Sequence, residues 1–169
     1  MSTQLHENNK EANMPSNKHI IYKGGSYKCN KEVESAHIDT NVTAIKEYTF
    51  QFCANLKKVT FPDTSSVTSI GYQAFYSCDS LQHINLPSSI TTIGEYAFNR
   101  CSSLQSVILP SSISVIPKDV FSGCKSLTTI NIPNSVTSIG YQAFRECKSL
   151  QSISIPQSLT TIEEFAFYD

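Results

Sequence analysis

Between Cys78 and Arg100 the chain reads C-D-S-L-Q-H-I-N-L-P-S-S-I-T-T-I-G-E-Y-A-F-N-R, and at Cys101 the pattern starts over, so the unit is 23 residues long. A unit this short cannot bury its own apolar face. It must stack on equivalent neighbours, and the product is an elongated solenoid with one continuous core. The register holds from Val42 onward. Phe recurs at Phe50, Phe75, Phe98, Phe121, Phe144 and Phe167, and Leu at Leu56, Leu81, Leu104, Leu127 and Leu150. Pro62, Pro87, Pro110, Pro133 and Pro156 recur too, as do Ile45, Ile70, Ile93, Ile116, Ile139 and Ile162. One unit is 25 residues long, because two residues are inserted between Pro62 and Val67, where a loop absorbs them.

Within a unit, Leu81-Gln-His-Ile-Asn-Leu86 alternates apolar and polar residues and ends at a proline. That is the pattern of a short strand with one buried face, and a residue without an amide donor suits the point where a ladder stops. Ile90-Thr-Thr-Ile93 is β-branched and reads as a second short extended segment. Glu95-Tyr96-Ala97-Phe98 then reads as about one helical or 3₁₀ turn that delivers Ala97 and Phe98 to the core. Gly71, Gly94 and Gly140 at the preceding corner point to positive φ or close packing, although Lys46, Pro117 and Glu163 occupy the same position elsewhere. Repeating the unit about six times gives a right-handed, curved coil stack. It has a parallel concave β-sheet, second short strands and short helical or 3₁₀ turns.

Residues 1–19 are polar and aperiodic and read as a disordered tail. Residues 20–41 read as a degenerate N-terminal capping repeat, with Tyr27 in the Phe place, Val33 in the Leu place, and Ala36 and Ile38 as strand residues. The regular repeats fill 42–169. No apolar run of signal-peptide length precedes them and no segment is long enough to span a bilayer. Taken literally the chain is cytoplasmic, with a trimmed signal or unconventional export as the alternative.

Only 16% of residues are charged and the formal net charge is -1, so there is no electrostatic case for nucleic acid or an anionic membrane. Five of the six cysteines, Cys53, Cys78, Cys101, Cys124 and Cys147, fall at one position of the repeat, with Cys29 before them. Equivalent inward sites carry parallel Cβ vectors, which disfavours disulfides. The expectation is free, buried thiols. No C-x-x-C or histidine pair occurs at zinc-ligand spacing, so neither a metal nor another cofactor is expected.

The pattern L-x-x-I-x-L-P-x-S-[IV]-T-x-I-G-x-x-A-F-x-x-C-x-S resembles the BspA-like, or Treponema pallidum-type, leucine-rich repeats over residues 42–169. Val67 to Phe75 and Val136 to Phe144 are identical, V-T-S-I-G-Y-Q-A-F, as internal duplication would leave them. The resemblance implies a leucine-rich-repeat solenoid and surface or secreted relatives, several of them adhesins for host matrix proteins.

The outward strand positions expected on the concave face are Lys58, Thr60, His83, Asn85, Ser106, Ile108, Thr129, Asn131, Ser152 and Ser154. They form a shallow platform of hydroxyls and amides for a protein partner or a glycan, or else a plainly solvated sheet face. Tyr48, Tyr72, Tyr96, Tyr141 and Phe165 form an aromatic stripe at the turns, read as packing over the coil edges in preference to an interface. His37 and His83 fall in different columns with no third ligand, and read as surface histidines. Carboxylates are scattered, and there is no G-x-S-x-G elbow or glycine-rich phosphate loop, so no catalytic residue is assigned. Phe165, Phe167 and Tyr168 mark a possible self-association edge where the last unit breaks off, making a homo-oligomer a further expectation. The function expected first is non-catalytic protein binding through the concave sheet. Adhesion to matrix protein or glycan and self-assembly into a structural array are the alternatives.

Overall fold

The computed structural model describes residues 18–25 and 27–169, so most of the expected disordered tail lies outside the described residues. The strands are β1 (His19–Tyr22), β2 (Ser35–Ile38), β3 (Ala44–Ile45), β4 (Lys58–Thr60), β5 (Ser69–Ile70) and β6 (His83–Asn85), followed by β7 (Thr92–Ile93), β8 (Ser106–Ile108), β9 (Val115–Ile116), β10 (Thr129–Asn131), β11 (Ser138–Ile139) and β12 (Thr161–Ile162). They form a solenoid of about six turns. The concave sheet has the order β1-β2-β4-β6-β8-β10, every pair parallel. The worn N-terminal region supplies two of its strands, β1 and β2.

Strand alternation delivers Ala36, Val59, Ile84, Val107 and Ile130 to the core, beside the Leu column. Phe50, Phe75, Phe98, Phe121 and Phe144 are almost wholly buried. Their rings stack with centroids 5.1–5.7 Å apart and planes within 15°. Near-parallel stacking arises because identical side chains leave identical backbones one coil apart, and each interior ring has an aromatic neighbour on both sides. Tyr27 touches both Phe50 and Tyr22, so aromatic packing continues into the cap.

The hydroxyl-rich composition also follows from stacking. Ser89, Ser135 and Ser158 donate their Oγ to the backbone carbonyls of Val67, Ile113 and Val136 in the preceding coil at 2.5–2.7 Å, and Ser112 donates likewise to Ile90. Thr68, Thr91, Thr137 and Thr160 do the same to Thr43, Thr68, Ser114 and Thr137. The serine hydroxyls satisfy coil-edge carbonyls that no backbone N–H reaches, whereas each threonine hydroxyl adds a second bond to a carbonyl that already accepts the same residue's N–H.

The corner expected to be helical is not a helix. Ala97 N bonds Gly94 O and Asn99 N bonds Tyr96 O within the coil, but the alternate donors, Tyr96, Phe98 and Arg100, reach Lys118, Val120 and Ser122 in the next coil. Helix propagation would need every donor to stay local; here half of them build a ladder between coils. The geometry requires two left-handed residues per regular coil, such as Tyr96 (φ 58) and Arg100 (φ 59). Glycine is not what meets that need, except at Gly123 (φ 76). Gly94 has a different role: a Cβ there would lie 2.5 Å from the backbone nitrogen of Tyr72, so close packing, not positive φ, selects it.

The second strands form two separate sheets, β3-β5-β7 and β9-β11-β12. Elsewhere the corner residue donates to the preceding isoleucine carbonyl, as Gly94 N does to Ile70 O at 2.7 Å and Gly140 N to Ile116 O at 2.8 Å. Pro117 occupies this place between β7 and β9 and has no N–H to give to Ile93, so the ladder is interrupted there.

The cysteines correct one expectation. Cys29 and Cys53 form a disulfide with Cα atoms 5.6 Å apart, whereas Cys78, Cys101, Cys124 and Cys147 are free and buried. The parallel-vector argument holds only between equivalent backbones. Cys29 sits in the cap, where the left-handed residues among those described are the adjacent Gly24 (φ 87) and Gly25 (φ 84) and not a pair four positions apart as in the regular corner. In the regular coils each thiol instead donates to a carbonyl one coil back, Cys101 to Phe75 and Cys124 to Phe98, at 3.1 and 3.2 Å.

Candidate functional site

Two columns of side chains leave the concave sheet for solvent. Strand register places His19, Ser35, Lys58, His83, Ser106 and Thr129 in the first. Ile21, His37, Thr60, Asn85, Ile108 and Asn131 form the second. Lys58, Thr60, His83, Asn85, Ser106, Ile108, Thr129 and Asn131 therefore share one surface, all of them exposed or half-buried. Ser152 and Ser154 are exposed but lie outside the paired sheet, which ends at β10. His19, Ile21 and Ser35 were missed by sequence reasoning because Gly24-Gly25 breaks the repeat in the cap. The alternation in His19-Ile-Ile-Tyr22 was the available signal.

His37 and His83 do stand in different columns of this face, and His19 joins them. Each ring is held by a hydroxyl on the neighbouring strand: His19 Nδ1 lies 2.7 Å from Ser35 Oγ, His37 Nδ1 2.9 Å from Thr60 Oγ1, and His83 Nδ1 3.2 Å from Ser106 Oγ. Among the described residues no cluster of three or more His, Cys, Asp or Glu could hold a metal ion. Beside the sheet, Glu34 bridges Lys18 at 2.9 Å and Lys57 at 2.8 Å, which holds its carboxyl down at about 2. Ile108 is 63% exposed and Ile21 61%, large apolar side chains with no role in the core.

The turn stripe is a packing seam. Tyr48, Tyr72 and Tyr96 meet edge to face at 5.5 and 5.7 Å, and Tyr141 meets Phe165 at 5.9 Å. Between Tyr96 and Tyr141 the ammonium of Lys118 takes the place of a ring, 5.7 and 5.6 Å from the two centroids. Beside it runs an open groove of about 830 Å³ whose lining includes Tyr76, Asn99, Ser122, Gly123 and Arg145. Buried Asn99 donates its Nδ2 to the Asp119 carbonyl at 3.1 Å, bracing the groove floor.

At the far end Phe165, Phe167 and Tyr168 are 51%, 40% and 55% exposed. Phe167 stacks on Phe144 at 5.3 Å and leaves its other face open. No helix among the described residues is long and apolar enough to cross a membrane.

Comparison with known proteins follows the same geometry. The BspA type leucine rich repeat region matches in six copies over residues 19–134 and 114–169. Among solved structures, a leucine rich cell surface protein from Faecalibacterium prausnitzii is 32% identical over 89% of this chain, with a TM-score of 0.76. This chain spans 44% of that protein's length. The T. pallidum leucine rich repeat protein is 30% identical, with a TM-score of 0.71, covering 88% of this chain and 76% of that one. A leucine-rich repeat protein from Bacteroides ovatus is 27% identical, with a TM-score of 0.68, covering 90% of this chain and 49% of that one. A comparison with curated proteins found no match. Six matching copies, a shared parallel sheet and one unbroken Phe column make this chain a member of the BspA-type leucine-rich repeat family.

Proposed function

We propose that the chain is a non-catalytic recognition module that binds a protein partner through its concave sheet. The observation that carries this reading is the pair of outward columns: their side chains face solvent, while the inward residues of the same strands fill the core. A surface released from packing duty is where a repeat fold can vary without losing stability.

The partner we favour is an extracellular one, of the host-matrix kind. The Cys29–Cys53 disulfide suits an oxidising compartment, and the F. prausnitzii relative is described as a cell surface protein. This departs from the cytoplasmic reading of the sequence. The test is to screen immobilised matrix proteins for binding and to map the bound state by hydroxyl-radical footprinting. Protection of His83 and Ile108 is expected. Protection confined to Tyr76 and Tyr96, or no binding across the screen, would overturn the reading.

A further inference from the structure

We infer that the concave sheet from β1 to β8 is a docking site for an acidic segment of a partner protein, and that binding strengthens as pH falls through the histidine range. This rests on the concave sheet being the recognition surface. Four observations place the site.

First, the charge on these columns has one sign. Lys58 and the imidazoles of His19, His37 and His83 occupy four adjacent strands, and no outward position of β1, β2, β4, β6, β8 or β10 carries a carboxylate. Second, the three rings are pre-oriented. Each Nδ1 is engaged by Ser35, Thr60 or Ser106, and the Nε2 atoms have no partner among the described residues. A fixed ring gives up less rotamer freedom when it binds.

Third, the flanking charges are already committed. Glu34 is closed between Lys18 and Lys57. Asp39, which follows β2 near His37 and Lys23, accepts both the backbone N–H and the side-chain amide of Asn41 at 3.0 Å. Glu32 lies beyond Lys18 at the edge, Asp63 follows β4 by three residues, and β8 and β10 bring no titratable group. Histidine is the side chain whose charge ordinarily changes between about pH 5 and 8, and the columns hold no carboxylate to offset such a change.

Fourth, the ends of the patch are apolar. Ile21 on β1 and Ile108 on β8 stand in the same column and bracket His37, Thr60 and Asn85. Four strand spacings separate them, roughly 19 Å. An extended peptide covers that span with about six residues. A cationic stretch between two exposed isoleucines matches an acidic peptide with apolar residues at its ends better than a sulfated glycan, which has nothing to place against Ile21 and Ile108.

The test uses the full chain and a synthetic peptide with about four consecutive glutamates flanked by leucines, a length matching that span. Fluorescence anisotropy is read at about pH 5.5 and about pH 8, either side of the imidazole range. A heparin oligosaccharide is run in parallel. The expected result is at least a tenfold gain in peptide affinity at the lower pH. That gain should be abolished in His37→Gln/Lys58→Gln/His83→Gln and kept in Lys125→Gln/Lys148→Gln, which removes exposed charge from another face. Circular dichroism confirms that both variants are folded. Absence of peptide binding, equal affinity at the two pH values, or binding of heparin without the peptide would each overturn the inference. If the matrix partner still protects His83 and Ile108 in those cases, the concave recognition surface stands and only its acidic-peptide chemistry fails. Loss of binding in the Lys125/Lys148 variant alone would overturn both.

Discussion

Replacing Phe98 with alanine should cost far more than the same change at Phe167, although the two occupy one position of the repeat. Phe98 is fully buried and lies between Phe75 at 5.1 Å and Phe121 at 5.7 Å, with interplanar angles of 3° and 9°. Removing it deletes the ring's burial, opens a cavity that rigid coils on both sides cannot close, and breaks two stacked contacts. Core Phe→Ala changes of this kind cost about 3–5 kcal/mol. Phe167 is 40% exposed and stacks on Phe144 alone. With roughly three-fifths of the transfer contribution and almost no cavity, its removal should cost about 1–2 kcal/mol. Urea unfolding followed by far-ultraviolet circular dichroism measures both, and suits a chain without tryptophan. A difference below about 1 kcal/mol between the two variants would refute the claim that stability resides in a continuous, neighbour-dependent Phe column.

Three further outcomes follow from the same structure. Alkylation of the native protein should leave Cys78, Cys101, Cys124 and Cys147 unmodified, because burial raises the Cys78 and Cys124 thiols well above their usual range and pushes Cys147 up to about 12. Mass spectrometry should then count four reactive thiols after unfolding, and six only when reductant is added. Glu34 has a folded pKa of about 2 against an ordinary 4.5, so the stability it contributes is present above about pH 4.5 and is lost as pH falls toward 2. Glu34→Gln should flatten that acid limb in a pH series of thermal melts, and an unchanged limb would show that the Lys18–Glu34–Lys57 bridge does not matter to folding. Gly94→Ala should destabilise by about 1–3 kcal/mol in urea, because the new Cβ meets the Tyr72 backbone at 2.5 Å; a neutral effect would contradict the close approach of these corners.

The parts of the fold legible in the sequence were those in which one residue type returns to one environment. The Phe, Leu and Cys columns and the two outward columns of the strands announced themselves by recurrence, and strand register follows once equivalent residues are stacked. The turns were not legible. An i→i+3 bond such as Asn99 to Tyr96 is shared by a helix and by these corners; the bonds that distinguish them, such as Phe98 to Val120, span 22 residues. Left-handed residues gave no signal either, since Tyr96, Gln73 and Arg100 take conformations usually marked by glycine. Such a residue costs about 1–2 kcal/mol, which the inter-coil bond made by its own N–H helps to offset. The disulfide escaped for a related reason: Cys29 precedes Cys53 by 24 residues in a cap whose backbone does not repeat the regular corner. On the candidate site, Lys58 through Asn131 were legible from alternation alone. His19 and Ile21 were hidden by the glycine pair, and the strand expected to carry Ser152 and Ser154 does not form.

If the outward concave columns carry recognition, as proposed above, they are dispensable for folding. The direct measurement is the affinity of a variant with Lys58, His83, Asn85 and Ile108 all changed to serine, for the matrix protein selected by the wild-type chain, with its melting temperature recorded alongside. The expected result is a melting temperature within a few degrees of wild type and a loss of affinity of at least about a hundredfold, near 3 kcal/mol. Binding retained within about threefold by the folded variant, less than 1 kcal/mol, would contradict it.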